Sequence, residues 1–292
     1  MNCYNGARYL REAIDSIYLQ TYKNWEIIFW DNASNDKSPE IAKSYDSKLH
    51  YYKSDGKILL GAARNNALKK CRGQYITFLD VDDLWMPRKL ELQMQKIHEY
   101  PDSIVCYSDG YEMYNDLKSN NKFSSNKNVK YFQGNIFDKL ILSNFINWQT
   151  VLINKNLAGD KLIFNENLTF AEDHEILLKL SLVGRITFLD EPLIYYRLHQ
   201  NNMSHDYELI LKESNQILEL FKNEIFTRKI KINKAKGLIY GSVVIKLIRG
   251  NGDYRKFIKY LIRYSNLQNI IVYILIKLNL TVLLTINKKN KY

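Results

Sequence analysis

The sequence predicts an α/β fold, a mainly parallel sheet flanked by helices, followed by a basic helical region. Three observations predict it. Short β-rich apolar runs alternate with segments of helical period, as βαβ units do. One of those runs, Tyr75 to Leu79 in YITFLDVDDLW, delivers Asp80, Asp82 and Asp83 to its own C-terminal end. In open α/β sheets, ligands bind in the crevice beyond the strand C-termini. The formal charge of +11 is confined to one end: residues 205–292 hold 17 Lys and Arg against 6 Asp and Glu, while residues 1–204 hold 25 of each. The expected organisation is an α/β domain over 1–204 and a helical, basic, amphipathic region over 205–292.

With 292 residues, 46% hydrophobic and 25% charged, the chain can bury a full core and is not of a disordered class. Cys3, Cys71 and Cys106 are scattered and odd in number, which argues for a reducing compartment and against a disulfide framework or a zinc site. No signal-peptide pattern is visible, so the cytoplasm is the expected compartment.

In chain order, Leu10, Ala13, Ile14 and Ile17 mark an amphipathic helix over Ala7 to Tyr18, with Asn5-Gly6 at its start. Glu26 to Trp30 reads as a short buried strand, DNASND as turn chemistry, Pro39 to Tyr45 as a helix and His50 to Lys53 as a strand. Ala62 to Cys71 reads as a helix before the strand Tyr75 to Leu79, and Pro87 opens a helix over Lys89 to Glu99. Ile104 to Tyr107 follows as a strand, and the polar stretch Asp109 to Gly134 as a mobile loop or lid. A helix around Ile136 to Leu142, a strand Thr150 to Asn154, a helix Asp173 to Val183 and two strands, Ile186 to Leu189 and Leu193 to Arg197, complete the α/β part.

Near the end, Asn269, Tyr273, Lys277, Thr281 and Thr285 recur every fourth position, and all but Asn279 between them are Ile, Val or Leu. A helix with so narrow a polar stripe suits an in-plane interfacial position, with Lys288, Lys289 and Lys291 at an anionic membrane surface. A helix packed on the protein or in a dimer is the plainer alternative.

Three carboxylates at one strand end repel each other unless a cation relieves them, and an all-oxygen site suits Mg²⁺ or Mn²⁺ with substrate phosphates. On spacing alone a solvated acidic turn explains them equally well. The ordered set YNGARYLREAIDSIYLQTYKNWEIIFWDNASND, GAARNNALKKCRGQYITFLDVDD and AEDHEILLKL resembles the family 2 glycosyltransferases of the GT-A (Rossmann-like) fold, over about Asn2 to His199.

The resemblance implies that Tyr4 stacks on a nucleotide base, that Asp31 and Asn32 occupy the acidic pair after the second strand, and that Arg64 lies near the nucleotide. Asn32 stands where the family commonly has Asp; it keeps base contact but loosens the preference for uracil. Asp80 would face the ribose or donor sugar, and Asp82 would ligate Mn²⁺ or Mg²⁺ on the diphosphate. Asp173 of Glu172-Asp173 would be the general base of an inverting displacement. Arg197 and His199 of YYRLHQNNMS would approach the diphosphate and the metal, and Trp148 and Gln149 lie where acceptor contacts could occur. The expected partners are a nucleoside diphosphate sugar, UDP-linked by preference, a glycan or lipid-linked glycan acceptor in surface polysaccharide synthesis, and the inner membrane face. The family's apolar first strand, running into Tyr-Asn, is expected to be missing, which leaves an inactive relative as an alternative.

A nucleotidyltransferase would need a Gly-rich phosphate loop near the start, and none is found. Nucleic-acid binding, suggested by the pI of 9.3, is disfavoured because residues 1–204 are neutral. A processive synthase would need transmembrane helices and a Gln-x-x-Arg-Trp element, and neither is seen.

Overall fold

The computed structural model describes residues 1–114, 117–125, 131–199 and 206–249, with Arg255, Ile258, Arg263 and Tyr264. The chain divides into two compact units, Met1–Phe137 with Phe145–Met203, and Asp138–Asn144 with Ser204–Tyr292.

The first unit opens with β1 (Asn2–Cys3), α1 (Ala7–Tyr18), β2 (Ile27–Asp31), α2 (Ser38–Lys43), β3 (Leu49–Lys53) and α3 (Leu60–Leu68). The order β1-β2-β3 forms a parallel three-stranded sheet. The middle strand β2 carries a continuous apolar run, Ile27 to Trp30; Leu10, Ala13, Ile14 and Ile17 of α1 share one buried cluster with Ile27 and Phe29 of β2. The first strand, expected to be missing, is represented by the two residues of β1, which pair Asn2 with Trp30 and Cys3 with Asp31.

Next come β4 (Tyr75–Thr77), β5 (Leu84–Trp85), α4 (Lys89–Glu99), β6 (Ser103–Tyr114), β7 (Leu117–Lys122), α5 (Phe137–Leu140), β8 (Leu152–Asn154), α6 (Lys155–Ala158), α7 (Glu172–Val183) and β9 (Arg185–Leu198). The second sheet has the order β4-β8-β6-β9-β5, with β7 on β6. Among the described residues only β6 and β9 run parallel in it; β8 enters from a 3-10 turn at Trp148–Thr150 and runs back against β4 and β6, so the pairing is mixed where a mainly parallel sheet was expected.

Two further expectations change. The polar stretch after Asp109 is not a loop throughout, because β6 continues to Tyr114 and β7 folds back on it. Its Ser, Asn and Lys residues suit an edge strand with one face in water. Buried Asp109 ties the ends of this excursion, accepting from Gly110 N at 2.8 Å and Tyr131 Oη at 2.8 Å and also from the Ser124 hydroxyl. The two strands expected around residues 186–197 are one, β9, whose register against β6 shifts beside Pro192. A bulge tolerates the missing proline N–H.

The second unit contains α8 (Tyr207–Leu220), α9 (Lys222–Thr227) and α10 (Ile232–Arg249), and Leu211, Tyr240, Val243 and Val244 form its core. Among the described residues no helix is long and apolar enough to cross a membrane. The amphipathic run at 269–285 lies outside the described residues.

Candidate active site

Six elements of the first unit bring the sequence-predicted residues to the strand ends: the turns after β1 and β2, the turn after β4, α3, the first turn of α7, and the end of β9. Arg64 of α3 is the hub on the carboxylate side. Only 4% exposed, it donates from Nη1 to Glu172 Oε1 at 2.6 Å, and its Nη2 lies 3.6 Å from Asp80 Oδ1. Trp148 and Phe164 each lie 5.4 Å from the guanidinium and fix its plane.

Asp80 is held from a second side. Its N–H donates to Gln149 Oε1 at 2.8 Å, and the Gln149 amide donates back to Asp80 Oδ2. The Asp80 side chain nevertheless keeps 43% of its surface in solvent. Burial raises the Glu172 and Asp173 carboxyls above the ordinary range, with Arg64 opposing, and confinement raises Asp80 against the same guanidinium. Glu172 Oε2 is buried without a hydrogen-bond partner among the described residues. Glu172 and Asp80 thus share one buried cation, whose charge also acts on Asp173.

The other two acids of the strand end diverge. Asp82 stays a quarter exposed and its Oδ2 lies 2.9 Å from His199 Nε2. Asp83 turns inward, 1% exposed, and accepts the Arg197 N–H at 2.8 Å; burial raises its carboxyl well above the usual range. Arg197, expected to approach the diphosphate, faces inward here. It is 1% exposed, donates from Nε to the Asp82 carbonyl at 2.8 Å and from Nη2 to Glu12 Oε2 at 2.8 Å, and covers the Tyr9 ring at 4.2 Å. A guanidinium so engaged positions the turn that carries Asp82.

The nucleotide side shows a similar division. Asp31, expected among the substrate-binding residues, is fully buried and accepts from Ser34 N at 2.8 Å and Tyr51 Oη at 2.5 Å, bonds that hold the turn. Asn32 donates from Nδ2 to the Ile58 carbonyl at 2.8 Å, and its Oδ1 accepts Ile58 N at 3.1 Å and Ser54 Oγ at 3.4 Å. An amide has two donors and two acceptor lone pairs, so Asn32 has one N–H left for a base. Tyr4 is 44% exposed, with Lys57 Nζ 3.8 Å from its ring centroid.

No cluster of three or more His, Cys, Asp or Glu side chains forms a ready-made metal cage among the described residues. The donor set still fits a hard cation. Asp82 and His199 stand side by side with solvent access, and Mg²⁺ or Mn²⁺ sites commonly take one or two protein ligands, leaving the rest to phosphates and water.

Sequence reasoning missed Glu12, Tyr9 and Lys57, and assigned Gln149 to an acceptor. Glu12 and Tyr9 are one turn apart on α1, a spacing that was available as a signal. Nothing local pointed Gln149 at Asp80, 69 residues away.

Comparison with known proteins identifies the family and the fold. The profile of Glycosyl transferase family 2 matches residues 1–157. A glycosyltransferase of Rickettsia typhi is 30% identical over 257 residues, covering 87% of this chain and 80% of the relative. The Escherichia coli UDP-Glc:alpha-D-GlcNAc-diphosphoundecaprenol beta-1,3-glucosyltransferase WfgD is 28% identical over 221 residues, covering 75% of this chain and 83% of its own. The Staphylococcus aureus TarS 1-349 structure with UDP-GlcNAc superposes with a TM-score of 0.61 at 21% identity, over 93% of this chain and 87% of that one. The GT-A fold expected from the motifs is borne out, and the chain is a glycosyltransferase of family 2.

Proposed function

We propose that the chain transfers a sugar from a UDP-sugar, with Mn²⁺ or Mg²⁺, to a glycan or lipid-linked glycan in surface polysaccharide synthesis, inverting the anomeric centre. The observation that carries this reading is the charge balance around Arg64: its guanidinium meets Glu172 at 2.6 Å and Asp80 at 3.6 Å, Asp173 follows Glu172 in the first turn of α7, and Asp82 follows Asp80 on the turn after β4. A nucleoside diphosphate adds further negative charge, and a divalent cation held by Asp82 and His199 would neutralise it and stabilise the departing diphosphate. The donors named for WfgD and bound to TarS support a uridine nucleotide.

In this reading Tyr4 stacks the base, and the free Asn32 N–H donates to a base carbonyl. Asp80, steadied by Gln149 and Arg64, faces the ribose or sugar. Asp173 takes the proton as the acceptor oxygen bonds to the anomeric carbon; the bond from that carbon to the phosphate oxygen breaks, and its electron pair leaves with the diphosphate. The raised Asp173 carboxyl is a stronger base than an ordinary aspartate once ionised. The protein acts at the inner membrane face, where the basic second unit and exposed Phe226 meet anionic lipid.

Release of UDP from UDP-sugars, measured with and without chelator, tests the reading. We expect turnover that needs the cation and is lost in Asp82→Ala; turnover indifferent to both would overturn the metal role. Flotation with anionic and neutral vesicles tests the membrane placement.

A further inference from the structure

The loop Ser54 to Ile58, between β3 and α3, is stapled to the turn after β2. Ser54 N donates to the Asp31 carbonyl at 3.0 Å. Asn32 takes both backbone groups of Ile58, donating to its carbonyl at 2.8 Å and accepting its N–H at 3.1 Å. A backbone N–H only donates and a carbonyl only accepts, so Ile58 fixes which end of the Asn32 amide is which. Ser54 Oγ donates to the same Asn32 oxygen at 3.4 Å. Both lone pairs of that oxygen are engaged, and what the side chain keeps for a ligand is a donor alone.

Lys57 stands one residue before Ile58, so the bonds that pin Ile58 also set the place from which the lysine side chain leaves. It is exposed, and its Nζ lies over the exposed Tyr4 ring, 3.8 Å from the centroid. An ammonium on a four-carbon stem is a mobile donor with no acceptor. A base that stacks on this face of Tyr4 displaces the ammonium to its rim. The exchange trades an exposed cation–π contact for a charge-assisted hydrogen bond to a ring carbonyl. Two donors, Asn32 Nδ2 and Lys57 Nζ, thus stand beside the ring, while the Asn32 oxygen is already taken.

We propose that Lys57 is a specificity-determining residue of the nucleotide site, reading the base as uracil rather than cytosine. The inference rests on the donor reading given above, in which Tyr4 stacks the base. Uracil carries carbonyls at C2 and C4; cytosine keeps the first and has an amine at C4. The carbonyl that the two bases share falls to the Asn32 N–H. The Lys57 ammonium meets the C4 position, where it finds an acceptor in uracil and a second donor in cytosine. Facing donors leave polar groups unpaired, which is how a site built for hydrogen bonding rejects an analogue. Asn32 cannot accept the uracil N3–H as an aspartate there would, and Lys57 restores the preference for uracil through a carbonyl instead.

Isothermal titration of UDP, CDP and uridine, with Mn²⁺ present, tests the assignment on the wild type, Lys57→Met and Lys57→Arg. Methionine keeps an unbranched stem over Tyr4 and loses the charge, and at so exposed a position the melting temperature should stay within about 2 °C. The wild type should bind UDP at least about tenfold more tightly than CDP, the factor expected of one hydrogen bond from a charged donor. Lys57→Met should bring the two nucleotides to within about threefold of each other, and Lys57→Arg, which keeps a charged donor, should hold most of the preference. Uridine should weaken in Lys57→Met by the same factor as UDP. A ratio of UDP to CDP affinity that Lys57→Met leaves unchanged would overturn the proposal. So would a loss seen with both nucleotides and absent with uridine, which would make Lys57 a phosphate contact. Binding of neither nucleotide by the wild type would remove the donor site and this inference with it. Tight binding of both without preference would remove the role of Lys57 alone and leave the donor site standing.

Discussion

The turns after β2 and β4 carry similar residues, DNASND and DVDD, and use them in opposite ways. After β2, Asp31 is fully buried and spends both oxygens on Ser34 and Tyr51, and Asn32 is pinned to Ile58. After β4, Asp80 and Asp82 remain within reach of solvent while their contacts come from distant residues, Arg64, Gln149 and His199. Acids that are buried shape the turn; acids left within reach of solvent are available to a ligand. Asp83 shows the division residue by residue, since in the same turn it is the acid that faces inward, onto the Arg197 amide.

The strongest way to break this comparison is at the carboxylate end. Asp173→Asn keeps the size of the side chain and removes the base, so kcat should fall by about 10³-fold, within the range of general-base catalysis, with the melting temperature unchanged or raised. A rise is reasonable because burial disfavours the charge that the substitution deletes. The wild-type acid limb of kcat/KM should also lie above the ordinary carboxylate range of about 4, since Asp173 must lose its proton from a raised pKa before it can accept another. An acid limb at an ordinary carboxylate position, or full activity in the variant, would remove Asp173 from the chemistry.

The opposite result is expected after β2. Asp31→Ala leaves the Ser34 amide and the Tyr51 hydroxyl without their acceptor, which costs about 2 kcal/mol or more for buried donors. At two to four degrees per kcal/mol for a domain of this size, the melting temperature should drop by about 5 °C, and the folded protein should bind UDP with little change. Thermal melts and UDP titration of one preparation check both halves. Weak UDP binding with an unchanged melt would make Asp31 a ligand-facing residue after all.

Much of this fold was legible because its signals are local. The period of Leu10, Ala13, Ile14 and Ile17 and the run Tyr75 to Leu79 fixed α1 and β4 within a few residues. The motif residues around the site were legible through their spacing, but which of them face a ligand was not. Burial of Asp31 and Arg197 depends on Tyr51 and Glu12, partners 20 and 185 residues away. The hairpin of β6 and β7 was hidden for a related reason: an edge strand exposed on one face has the composition of a loop. The break between the sheets arises where β2 and β4, far apart in sequence, come to flank one cavity.

Lys89 extends the comparison of buried and exposed charge to a single titration. It is fully buried in α4, donating to Gln93 Oε1 at 2.7 Å and Thr77 Oγ1 at 3.1 Å, and burial brings its pKa down to about 7. The unfolded chain holds that proton up to about 10.4, so between the two values the unfolded state binds more protons and stability rises with pH. The contribution is complete above the unfolded value and is lost as pH falls through about 7. Its slope is at most about 1.4 kcal/mol per pH unit. Cys106 is pushed up to about 12 by burial and ionises earlier when unfolded, which opposes the trend at higher pH, but it is common to wild type and Lys89→Met. The difference between their melting temperatures therefore isolates the lysine. From pH 6.5 to 8.5 the wild type should gain on the variant by a few degrees, and parallel curves would show that Lys89 keeps its proton in the core.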